Sequence, residues 1–153
     1  MEKQEIEFIL QFSLFKYFDL ILDEVESKGL SALSLPEIQK AFGELNTFLP
    51  PLSNEAKLIF SYYYVYQLKP EIIKIETIEK ELNIPSMFLQ YGGAWQELAK
   101  LGLLEHMEGR GYFMPQKVIN AVAIIDMEYY WPNEKTIIPA EHKKEVFWRL
   151  CHE

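Results

Sequence analysis

From Leu58 to Leu68 only Ser61 and Gln67 interrupt a run of large apolar and aromatic side chains: Leu58, Ile59, Phe60, Tyr62, Tyr63, Tyr64, Val65, Tyr66 and Leu68. Ser53 can cap a helix at the start of this segment, Glu55 lies near the positive end of that helix, and Pro70 ends it, which gives one helix over about residues 54–69. Such a helix cannot keep one face in water, so other elements have to cover most of its circumference. Its tyrosines read first as packing residues whose hydroxyls are solvated or paired.

The patterning elsewhere supplies that cover with more helices. Ile6, Ile9, Phe12, Leu14, Phe18, Ile21, Leu22 and Val25 recur at helical spacing over about residues 3–28, and Gly29 supplies the stop. Phe8, Leu10, Phe15 and Tyr17 widen the apolar face, which places this helix at the centre of the fold or in an interface. A homodimer through Phe8, Phe12, Phe15 and Tyr17 is therefore one expected assembly. Ser34-Leu35-Pro36-Glu37 has the form of a capping box with Pro in the first turn, opening a helix to about Asn46. Pro50 and Pro51 then break the chain.

Beyond Pro70 the pattern changes. Ile72, Ile73 and Ile75 form a short β-branched run. Thr77 can cap a helix through Ile78, Leu82 and Ile84, and Asn83-Ile84-Pro85-Ser86 makes a turn with Ser86 as the next cap. The following helix carries Leu89, Ala94, Trp95, Leu98 and Leu101 and closes at Gly102, with Gly92-Gly93 as a possible kink. Residues 103–107 read as a strand, Glu108-Gly109-Arg110-Gly111 as hairpin turn residues, and Tyr112-Phe113-Met114 as the returning strand. A helix over about 116–131, stopped by Pro132, and a last one over about 139–151 complete the chain.

The order helix, short strand, helix, turn, helix, strand, tight wing, strand resembles the winged-helix superfamily. The residues carrying the resemblance are Thr77 to Ile84, then Trp95-Gln96-Glu97-Leu98-Ala99-Lys100-Leu101-Gly102-Leu103-Leu104, then Gly109-Arg110-Gly111-Tyr112. The resemblance implies a mainly α fold with a small β-hairpin. It would form a single domain over 1–153: an N-terminal helical segment (1–53), a winged-helix unit (54–115) and C-terminal helices (116–153). With helices on both sides, the layout is similar to MarR-type regulators. That similarity implies terminal helices that dimerise and a winged helix that reads DNA, with Ser86, Gln90, Lys100 and Arg110 as the contacts.

Charge argues for a different partner. The 153 residues carry a formal net charge of −8, divided as −5 over 1–54, −2 over 55–116 and −1 over 117–153. No segment is basic enough to make a phosphate footprint, and free nucleic acid repels an acidic surface. A groove-reading helix presents Arg, Lys, Asn, Gln, Ser or Thr at its leading end. This one leads with Ser86, Met87, Phe88, Leu89, Gln90 and Tyr91, without a cation. Met87, Phe88 and Tyr91 point instead to an apolar protein-binding patch, or else they finish the core.

Other chemistry is sparse. No phosphate-cradling Gly-rich loop, metalloprotease helix or nucleophile elbow occurs, so no catalytic residue and no cofactor is assigned. His142, Glu145, Cys151 and His152 match no established zinc spacing, so no metal is assigned, and His152 reads as part of a solvated terminal helix. One cysteine excludes an intrachain disulfide and fits a reducing compartment. The acidic start Met1-Glu2-Lys3-Gln4-Glu5 is unlike a signal peptide, and Glu7, Gln11, Lys16 and Asp19 interrupt the apolar run from Ile6 to Leu22. The expectation is a cytoplasmic protein with no membrane span. It would be a non-enzymatic regulatory or adaptor protein whose winged helix contacts another protein; the alternative is a dimeric DNA-binding transcription regulator.

Overall fold

A computed structural model describes residues 14–66, 78, 80–82, 87–107, 111–130 and 142–152, with the backbone alone for 87–92 and 127–130. The described chain is mainly helical, with a small antiparallel hairpin. In order, it forms α1 (Phe15–Lys28), a 3-10 segment (Gly29–Ser34), α2 (Pro36–Leu45), α3 (Asn54–Val65), α4 (Met87–Lys100), β1 (Glu105–Met107), β2 (Gly111–Phe113), α5 (Gln116–Tyr130) and α6 (Lys143–His152).

The aromatic-rich segment forms α3, and it is covered as its composition demands: every residue from Ala56 to Tyr64 is buried. The Ser53 hydroxyl caps it by accepting from the Ala56 N–H at 3.1 Å. Two polar residues share that burial without being stranded. Ser61 donates its hydroxyl proton to the Lys57 carbonyl at 2.7 Å, one turn back. Lys57 lays its stem along the core and sets its ammonium over the Phe42 ring, 5.2 Å from the centroid. Burial holds the Lys57 amine below the usual lysine value, with Glu97 opposing the shift and Lys144 adding to it.

Helix α1 packs on α3 through Phe18, whose ring lies 6.2 Å from Phe60 and 5.0 Å from Tyr64. Its stop is the expected one: Gly29 has φ +75°, a conformation that glycine adopts without a Cβ penalty. Its start differs from the expected long helix. The described helix begins at Phe15, and the Leu14 N–H before it donates to Asp126 Oδ1 of α5 at 2.6 Å; residues 3–13 of the expected helix lie outside the described residues. Phe15 and Tyr17 are partly buried against the core, and Phe8 and Phe12 lie outside the described residues.

The capping box at Ser34 does not form. The chain enters α2 through Leu35, which has extended backbone and makes no side-chain cap, while Pro36 takes the first helical turn. Ser34 is the last residue of the 3-10 segment and donates to the Ser31 carbonyl at 2.9 Å. A serine hydroxyl already bonded to the preceding turn does not cap the next helix.

Phe48, after α2, meets Phe147 of α6 edge to face at 5.1 Å, so the first and last parts of the chain share one core. No helix among the described residues is long and apolar enough to cross a membrane.

Candidate functional site

Helix α4 and the hairpin that follows it hold most of the residues singled out from the sequence. Ala94, Trp95 and Leu98 are buried, while Gly93, Gln96 and Lys100 are exposed, which gives α4 one core stripe and one outward stripe. The Trp95 indole N–H donates to the Tyr63 hydroxyl at 3.2 Å, which fixes the core stripe against α3. Tyr63 is held above the usual tyrosine value, chiefly by burial. Next to it, Tyr62 donates to the Glu81 carboxylate, and burial with that bond raises its phenol as well. Glu97 secures the outer edge of α4: it accepts from the Ser53 backbone N–H at 2.9 Å and from the Ser53 hydroxyl at 2.8 Å.

The helix ends in a Schellman turn. The Leu103 N–H donates to the Leu98 carbonyl at 2.9 Å, and the Gly102 N–H to the Ala99 carbonyl at 3.0 Å. Gly102 takes φ +77°, and Leu98 and Leu103 are both fully buried beneath the turn. The Leu98-to-Leu103 spacing therefore does what its sequence suggested: glycine allows the reversal and the two leucines seal it. The chain then enters β1, which pairs with β2 in the register Glu105–Phe113, His106–Tyr112 and Met107–Gly111. Glu105, His106 and Met107 are exposed, and the His106 ring lies 4.7 Å from the Tyr112 ring.

Of the residues proposed for DNA contact, Lys100 is exposed in the last turn of α4 and is the only basic residue of that helix. Gln90 lies on its backbone, with its side chain outside the described residues; Ser86 and Arg110 lie outside them altogether. The side chains of Met87, Phe88 and Tyr91 are likewise outside them, although the helix that carries them is continuous through Gly92-Gly93.

Two residues that the sequence reading left aside have specific partners. Glu97 looked like one acid among many. His152 sets Nδ1 2.7 Å from the Trp148 carbonyl and Nε2 2.9 Å from the Leu101 carbonyl, fifty-one residues away in the chain. The bonds from Ser53 to Glu97 and the contact of His152 with Leu101 have no local sequence signal, because they join elements far apart in the chain. Cys151 is buried, and burial pushes its thiol up to about 12, against a smaller opposing effect of Lys117. His142 and Glu145 form an exposed contact at 3.7 Å. No group of three or more His, Cys, Asp or Glu that could hold a metal ion occurs among the described residues.

The chain matches no protein-family model, no curated protein and no solved structure.

Proposed function

We propose that this chain is a non-enzymatic regulatory or adaptor protein in which α3, α4 and the hairpin belong to a winged-helix unit that contacts another protein. The observation carrying the choice of partner is the outward stripe of α4. Gly93, Gln96 and Lys100 face solvent there, and the single cation sits in the last turn, at the opposite end from the one a groove-entering helix leads with. The adjoining strand presents Glu105, His106 and Met107, with Met107 40% exposed. A small, mixed, weakly charged surface of this kind suits a protein partner, whereas phosphate binding needs several cations in one place.

The test is binding to random-sequence duplex DNA, followed by fluorescence anisotropy at physiological salt and at lower ionic strength. Negligible binding at physiological salt is expected. Sub-micromolar affinity with a steep salt dependence would overturn the proposal in favour of a DNA reader, because that dependence counts phosphate contacts.

A further inference from the structure

We infer that His152 is a proton-operated latch that holds the exit turn of α4 against the end of α6. Both of its ring nitrogens face backbone carbonyl oxygens, Trp148 O at 2.7 Å and Leu101 O at 2.9 Å. A carbonyl only accepts. The imidazolium has two N–H donors and makes both bonds, whereas a neutral imidazole has one donor and must set a lone pair against the other carbonyl. Gaining a proton therefore completes the bridge, and losing it breaks one side.

The surroundings give the bridge a purpose. Leu101 occupies the C-cap of α4, where the carbonyls of a helix end lack intrahelical partners. The Schellman turn satisfies Leu98 and Ala99, and His152 satisfies Leu101. A Cβ at Gly102 would meet His152 Nε2 at 2.9 Å, so glycine is required there for its contact with the ring as well as for its backbone. The exposed Trp148 ring lies beside the exposed His152 ring, with centroids 4.0 Å apart and planes tilted by 35°. Because β1 begins at Glu105, just past this turn, the latch governs how firmly the hairpin is joined to α4.

The charged groups on the elements that meet there are Lys100 beside Leu101, Glu105 of β1, Lys117 of α5, which acts on the adjacent Cys151, and Lys143, Lys144, Glu145 and Arg149 of α6 itself. Water screens Lys100, Lys117, Lys144, Arg149, Glu105 and Glu145, all of which are exposed, while the two carbonyls lie at hydrogen-bond distance. Cys151 does not titrate in the same range, its thiol being pushed up to about 12. This device is independent of what the outward stripe of α4 contacts.

Amide hydrogen exchange of residues 102–107, corrected for intrinsic rates, tests the latch in the intact protein at pH 5.5 and pH 8. The expected result is protection about threefold to tenfold greater at the lower pH, as for one hydrogen bond gained. His152→Ala should flatten this dependence. His106→Gln and His142→Gln, which change the other two histidines of the chain, should leave it in place. Nitrogen NMR of the wild-type ring gives a second readout that needs no variant: at pH 5.5 both His152 nitrogens should carry protons. A flat exchange profile in the wild type, a profile that follows His106 instead, or a ring that stays a neutral tautomer at pH 5.5 would each overturn the inference.

Discussion

Glu97 holds Ser53 twice, taking the backbone N–H on one carboxylate oxygen at 2.9 Å and the hydroxyl on the other at 2.8 Å. Ser53 is at the same time the N-cap of α3, so one serine joins the start of α3 to the outer edge of α4. Lys57, one turn into α3, is drawn towards the same carboxylate.

That sharing predicts non-additive substitutions. Ser53→Ala removes the cap and the hydroxyl donor to Glu97, leaves the backbone N–H bond, and should cost about 0.5–2 kcal/mol. Glu97→Ala leaves the cap in place and should cost about 0.5–1.5 kcal/mol. The double variant should lose less than the sum, because the second substitution finds the hydroxyl bond already gone. Urea denaturation of the four proteins at pH 7 measures the cycle. Strict additivity would mean that the bond between the Ser53 hydroxyl and Glu97 is not made in solution.

The fold was readable where local chemistry decides it. Ser53 caps α3, Gly29 and Gly102 end α1 and α4 with positive φ, and the two short strands after Gly102 pair as the turn residues suggested. Reading failed at Ser34, where the capping-box pattern was present and a competing bond to Ser31 took the hydroxyl. The bond from the Leu14 N–H to Asp126 has no local signal, because the two residues stand far apart in the chain. The candidate site was less legible for the same reason. Lys100 could be placed from the helical pattern alone, whereas Glu97 meets Ser53 and His152 meets Leu101 only when distant elements pack.

Asp126 gives a pH-dependent test. Its carboxyl is raised above the usual carboxylate value by burial, and the bond from the Leu14 N–H pulls partly back. A raised value in the folded state means that the folded protein binds the proton more tightly than the unfolded chain does. The resulting stability is fully present below the unfolded value and is lost as pH rises through the folded one. Asp126→Asn keeps an acceptor for Leu14 and removes the buried charge. It should be more stable than the wild type at pH 7, and the gap should close as pH falls below about 4. Asp126→Ala removes the acceptor and should lose about 1–3 kcal/mol, since Leu14 is fully buried. Thermal denaturation from pH 3 to pH 8 separates the two, and an Asn variant weaker than the wild type throughout would contradict the assigned cause.

Cys151 should be chemically quiet. With its thiol pushed up to about 12 and its side chain buried, almost none is thiolate at pH 8. Iodoacetamide should therefore label the native protein at least roughly a hundredfold more slowly than the urea-unfolded chain, because the thiolate is the reacting species. Equal rates would place Cys151 at an accessible surface and would reopen a reactive role for it.

The last prediction separates the two readings of the leading half of α4. Ala94, Trp95 and Leu98 form its buried stripe, and positions 87, 88 and 91 each stand seven residues before one of them, two helical turns away. Seven residues at 3.6 per turn return nearly to the same side of a helix. If that phase holds through the leading half, Phe88 shares the stripe of Trp95, and a charge there would be buried without a partner. Phe88→Glu should then cost several kcal/mol, in the range expected for Leu98→Ala, about 2–5 kcal/mol. Gln96→Glu, on the outward stripe, should change stability by no more than about 0.5 kcal/mol. Equilibrium denaturation of the three variants decides the matter. If Phe88→Glu leaves stability within that last margin while Leu98→Ala does not, Phe88 faces outward with Met87 and Tyr91, and the apolar patch read from the sequence becomes part of the contact surface.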